Sequence, residues 1–129
     1  MIAPQTVDAL ARVAVVVPVL RLLVLHGSRA RGDEHERSDW DFAYLADGDL
    51  DELQLRNELG KTTRTDRVDV VNLAGASGLL RFRVARDGML LYEAERGAFD
   101  AFRLEAARFW YDIEGIVRAE HAAALERLV

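Results

Sequence analysis

Apolar residues in this chain arrive in short blocks, and that sets the scale of what it can build. The longest stretch, Val13–Leu25, is interrupted by Pro18 and Arg21. A membrane-spanning helix needs about 20 largely uninterrupted apolar residues, so no span is expected. The blocks alternate between helical spacing and strand-like runs. Val7–Val17 reads as a helix, with Thr6 as N-cap and Pro18 limiting its far end. Arg21–His26 reads as a buried strand ended by Gly27, and Asp39–Leu45 as a second strand. Leu50–Leu59 fits a helix with Leu50, Leu53 and Leu55 inward, ending at Gly60. Arg67–Leu73 is a third strand, Ser77–Arg86 a helix stopped by Asp87-Gly88, and Met89–Tyr92 a short strand. From Ala98 to Leu128 the positions Phe99, Phe102, Ala106, Phe109, Ile113, Ile116 and Val117 recur at helical spacing. This order predicts an α/β fold: a small mixed sheet with helices packed mainly on one face and a long C-terminal helix.

Length and composition bound the rest. A chain of 129 residues, half of them apolar, predicts one domain over 1–129 with a core of its own. The lack of cysteine excludes disulfides, zinc–thiolate sites and iron–sulfur clusters. A net charge of −5 speaks against a binder of nucleic-acid backbones. Met1–Gln5 has no basic segment ahead of an apolar stretch, so no secretory signal is expected and a cytoplasmic location follows.

The informative segment is Gly27-Ser28, then ten residues, then Asp39-Trp40-Asp41. Side chains alternate along a strand, so Asp39 and Asp41 share a face about 6–7 Å apart, while Trp40, Phe42 and Tyr44 turn to the core. Two adjacent carboxylates repel unless a cation lies between them. Hard oxygen donors favour Mg²⁺. Asp69 repeats the theme between Val68 and Val70, and a carboxylate in an apolar strand is expected to face a shared polar site. Three acids can hold two metal ions about 3.5–4 Å apart for phosphoryl or nucleotidyl transfer. Gly27 lets backbone come close to a ligand, and the amides and hydroxyl at Ser28 suit a phosphate tail.

With these residues the chain resembles the DNA polymerase beta-like nucleotidyltransferase superfamily. Gly27-Ser28-Arg29-Ala30-Arg31-Gly32 followed by Ser38-Asp39-Trp40-Asp41-Phe42 is similar to its minimal branch. The length, Leu91-Tyr92-Glu93 and Phe109-Trp110-Tyr111-Asp112 are similar to MntA-type antitoxins of HEPN/MNT (type VII) toxin–antitoxin systems. The resemblance implies a Mg²⁺-dependent adenylyltransferase, with two ions and Mn²⁺ as the alternative metal. It would move AMP from ATP to a tyrosine hydroxyl of a partner HEPN ribonuclease toxin, in a hetero-oligomer. It implies that Gly27 and Ser28 hold the triphosphate and that Asp39 and Asp41 bind the metals. Asp69 would bind a metal or take the hydroxyl proton. Asn72 stands where many relatives carry a further acid. The competing functions are a small-molecule nucleotidyltransferase of the aminoglycoside-modifying kind and an antitoxin that acts by binding alone.

Several residues carry two readings. Arg29 and Arg31 suit phosphate contact, or pairing with the acids of the Asp33–Glu36 loop. Asp69 could instead pair with Arg64 or Arg67. His26 reads as a hydrogen-bonded structural histidine ahead of a catalytic one. For Trp110 and Tyr111, core burial is favoured over a partner-facing patch.

Overall fold

The computed structural model describes residues 2–128. Four strands form one mixed sheet in the order β3-β2-β1-β4: β1 Leu20–His26, β2 Trp40–Ala46, β3 Val68–Asn72 and β4 Met89–Glu93. β1 runs antiparallel to both β2 and β4, whereas β2 and β3 are parallel. Among the described residues, six α-helices complete the fold: α1 Pro4–Ala11, α2 Val13–Val16, α3 Ser28–Arg31, α4 Glu52–Thr63, α5 Gly78–Asp87 and α6 Ala98–Arg127. Among the described residues, no helix is long and apolar enough to cross a membrane.

The mixed sheet and the long terminal helix agree with the expected class, but the helices divide between both faces. β1 explains why. Leu23 and Leu25 point to one side and Leu22 and Val24 to the other, all at most 1% exposed. A strand apolar on both sides must be covered on both sides. Leu10, Val13, Leu55 and Leu59 from α1, α2 and α4 close the first core around Phe42 and Tyr44. Val84, Phe99, Phe102 and Ala106 from α5 and α6 close the second around Ala43.

Local chemistry sets the element ends. The first helix begins at Pro4 with Ala3 as N-cap, not at Thr6, because proline is preorganised for the first helical position. It breaks at Arg12 into two pieces. The Asp51 side chain accepts from the Leu53 and Gln54 N–H groups at 3.1 and 3.2 Å, so α4 begins at Glu52. That phase turns Leu55 and Leu59 inward and leaves Leu53 exposed. α4 runs through Gly60 to Thr63, where Arg64 at φ 59° ends it. Gly60 serves the return of the chain instead, since a Cβ there would lie 3.0 Å from the Thr65 carbonyl. The Tyr44 hydroxyl donates to Glu52 Oε2 at 3.0 Å, tying α4 to β2.

α6 has 30 residues, about 45 Å of helix. Its fully buried residues among those described, Phe99, Phe102 and Ala106, lie in its first turns. Phe109, Ile113, Ile116 and Val117 continue the stripe but are exposed. Trp110 is half-buried and Tyr111 is 60% exposed, so the burial expected for this pair does not extend to Tyr111. Both rings pack edge-on against Phe82, at 5.7 Å between centroids.

Candidate active site

β1 ends at His26, and the chain then turns through Gly27 (φ 73°) into the single turn α3, which Gly32 (φ 82°) closes. A left-handed φ favours glycine at position 27. A second constraint acts there: a Cβ on Gly27 would collide with the Asp41 carboxylate. The Gly-Ser turn is thus pressed directly onto one of the acids. Gly27 is the cap residue of α3, and among the described residues no side chain caps that helix.

Strand register brings the acids together. His26 pairs with Asp41 across β1 and β2, and Asp41 pairs with Asp69 across β2 and β3. Paired residues of neighbouring strands share a face, so His26, Asp41 and Asp69 form a row on the face that α5 and α6 cover further along. Asp39, two residues before Asp41, lies just ahead of β2 and is exposed. Asp69 is exposed on β3. Among the described residues it forms no ion pair, and Arg67 donates from Nη1 to the Arg37 carbonyl at 3.0 Å rather than turning to it.

A cleft of about 560 Å³ opens beside Asp41, lined by Gly27, Ser28, Arg31, Asp33, His35, Arg37, Ser38, Asp39 and Asp41. Asp69 borders the row from β3 without lining the cleft. Burial pushes the Asp41 carboxyl above its ordinary range, and the charges of Asp69 and Asp39 add to that; His26 and Arg31 oppose it. Burial likewise lowers the His26 imidazole, helped by Arg31 and opposed by Asp41, by Asp69 and by a hydrogen bond to the Phe42 backbone.

The donor set suits a divalent ion. Asp39, Asp41 and Asp69 are hard oxygen donors whose mutual repulsion a cation relieves. Among the described residues, no three acidic or histidine side chains are already drawn into a ready-made metal cage.

The two arginines part company. Arg31 lines the cleft and also pairs with Asp33 at 3.3 Å, as the reading of it as a partner of the loop acids expects. Arg29, expected beside the nucleotide, does not line the cleft; its guanidinium donates to the Ser38 carbonyl and lies over Trp40. A long arginine can swing to either side of a one-turn helix, and spacing alone does not fix which. Asn72 accepts from the Ala74 N–H at 3.0 Å, capping the short turn Leu73–Gly75, so its departure from the acidic pattern has a structural use. His35 and Arg37 sit in a loop that reads as merely solvated. Their one signal is their place directly before Asp39.

A sequence model of the family described as polymerase beta, nucleotidyltransferase matches residues 10–97. A relative named protein adenylyltransferase MntA, from Aphanizomenon flos-aquae, is 39% identical over 99 residues. That match covers 67% of this chain and 66% of the relative, so the chain spans just under two thirds of its length. A crystal structure described as a toxin–antitoxin with AMP-PNP contains a similar chain at 25% identity and TM-score 0.73, covering 92% of this chain and 98% of that one. A chain in a structure of tri-AMPylated Shewanella oneidensis HEPN toxin with MNT antitoxin shares the fold. There the identity is 22% and the TM-score 0.68, over 94% of this chain and 97% of that one.

Proposed function

The chain belongs to the polymerase beta nucleotidyltransferase family, and from that footing we propose that it is a protein adenylyltransferase that moves AMP from ATP to a tyrosine hydroxyl of a HEPN toxin, acting as its antitoxin. The observation that carries this reading is the register Asp41–Asp69 together with Gly27 set against the Asp41 carboxylate. An anion-binding turn and a row of acids within contact of one another are what a nucleotide needs to lie with its reactive phosphorus over carboxylates. The name of the 39%-identical relative and the AMP-bearing toxin of the structural neighbour support the choice of donor and acceptor. The net charge of −5 supports a protein acceptor over a nucleic acid.

In this reading the Gly27–Ser28 turn holds the triphosphate through backbone N–H groups and the Ser28 hydroxyl, and Arg31 offsets its charge. Asp39 and Asp41, with Asp69, would hold the divalent ions, Mg²⁺ or Mn²⁺, which when bound favour ionisation of the hydroxyl and offset charge on the leaving group. A free tyrosine hydroxyl has a pKa near 10, so it reaches the site protonated. Asp69 sits at the open side of the row and takes that proton. The hydroxyl oxygen bonds to the α-phosphorus, the bond from that phosphorus to the bridging oxygen breaks, and pyrophosphate leaves.

The test is to incubate the protein with ATP, Mg²⁺ and its partner toxin, then weigh the toxin. Wild type should add one or more AMP units, and D39N/D41N should add none while keeping its fold. Undiminished transfer by that double variant would exclude the assignment. A tight complex with no mass change would point to neutralisation by binding alone.

A further inference from the structure

Asp39 lies outside the strand, and among the described residues no hydrogen bond or ion pair holds its carboxylate. Its position is therefore set by its backbone, and that backbone is gripped on both sides. Arg29 on α3 donates from Nη2 and Nε to the Ser38 carbonyl at 2.9 and 3.3 Å. The same guanidinium lies 4.4 Å from the centroid of the Trp40 ring, and Trp40 in turn stacks on the buried Phe42 at 6.1 Å. One side chain thus touches the residue before Asp39 and the residue after it. β3 completes the grip: the Trp40 N–H donates to the Arg67 carbonyl at 2.9 Å, and Arg67 Nη1 donates to the Arg37 carbonyl. Ser38 is buried, and its hydroxyl accepts from the His35 N–H at 2.8 Å.

We propose that Arg29 is a positioning residue that fixes Asp39 at the mouth of the cleft without itself touching nucleotide. The task suits arginine alone. A planar guanidinium can lie flat on an indole while its edge donates to a carbonyl, and an ammonium cannot do both. The proposal rests on the reading of Asp39 as an ion ligand made above. Its sign separates it from a simple charge effect. Removing a cation that merely stands near carboxylates tightens the binding of a divalent ion; removing a clamp loosens it.

The test uses Mn²⁺ alone, titrated into the full chain and followed by the electron paramagnetic resonance signal of the free ion, with circular dichroism to show that each variant is folded. R29A should weaken Mn²⁺ binding about ten- to a hundredfold, the range for partners that orient metal ligands. R29K should fall between R29A and wild type. In a D39N background, R29A should cause no further loss, because the two changes act on one contact. Unchanged or tighter binding by folded R29A, or an equal loss in the D39N background, would overturn the proposal. If R29A does not fold, R29K carries the comparison, and wild-type affinity in R29K overturns it. Should D39N alone leave Mn²⁺ affinity intact, the ion-site reading itself fails, which is a different result.

Discussion

Asp41 is surrounded by groups that pull its protonation in opposite directions. Burial, Asp69 and Asp39 favour the neutral acid, while His26 and Arg31 favour the anion. Its folded pKa lies above the unfolded value, so the folded state holds the proton more tightly. The stability from this group is fully present below the ordinary carboxylate range and is lost as pH rises through the folded pKa. At neutral pH the ionised side chain therefore opposes folding. D41N should melt about 1–3 °C above wild type at pH 7, a shift typical of small changes in a domain this size, and should lose AMP transfer. The gap should close near pH 4, and thermal melts at the two pH values check it. A D41N protein that melts below wild type at pH 7 would refute the electrostatic account. At this scale the sequence was informative where spacing decides: Gly27, Ser28, Asp39 and Asp41 meet at one cleft. For Arg29 it offered phosphate contact or pairing with the loop acids, and it held no sign of the Trp40 ring and the Ser38 carbonyl, which depend on which of several rotamers the side chain adopts.

Elements were legible in existence and less so in phase. All four strands lie where short apolar runs put them, within about two residues at each end, the usual uncertainty of such boundaries. α4 shows what was hidden. Leu53 and Leu55 look equivalent by hydrophobicity, and the Asp51 cap decides between them by setting where the helix begins. Three substitutions test that account. D51A removes the oxygen that serves two N–H groups and should cost about 1 kcal/mol. L59A opens a void in the core beneath the sheet and should cost about 2–5 kcal/mol. Leu53→Ser should change stability by less than about 0.5 kcal/mol, as expected for an exposed position. Urea unfolding of the three variants gives the comparison. A larger loss for Leu53→Ser than for L59A would mean that the helix is rotated from its described phase.

At the scale of the molecule, the packed body and the outer part of α6 are energetically separate. Residues 118–128 are exposed and add nothing to either core. A chain ending at Val117 should keep its melting temperature within about 2–4 °C, since surface changes away from core features count for little. It should lose helical ellipticity in proportion to the turns removed. Collapse of the fold on that truncation would refute this separation. Legibility ran out at this scale for a related reason: helical spacing continues along α6 after burial stops, so periodicity alone does not mark where the body ends. The seven residues of β2 sit at the opposite extreme. Phe42 and Tyr44 belong to one interior, Ala43 to the other, and Asp41 to the proposed site. Any drift in that strand is penalised three times over, so among descendants of a common ancestor it should be the slowest segment to vary, and swaps elsewhere that nudge it should surface as lost turnover before they surface as lost solubility.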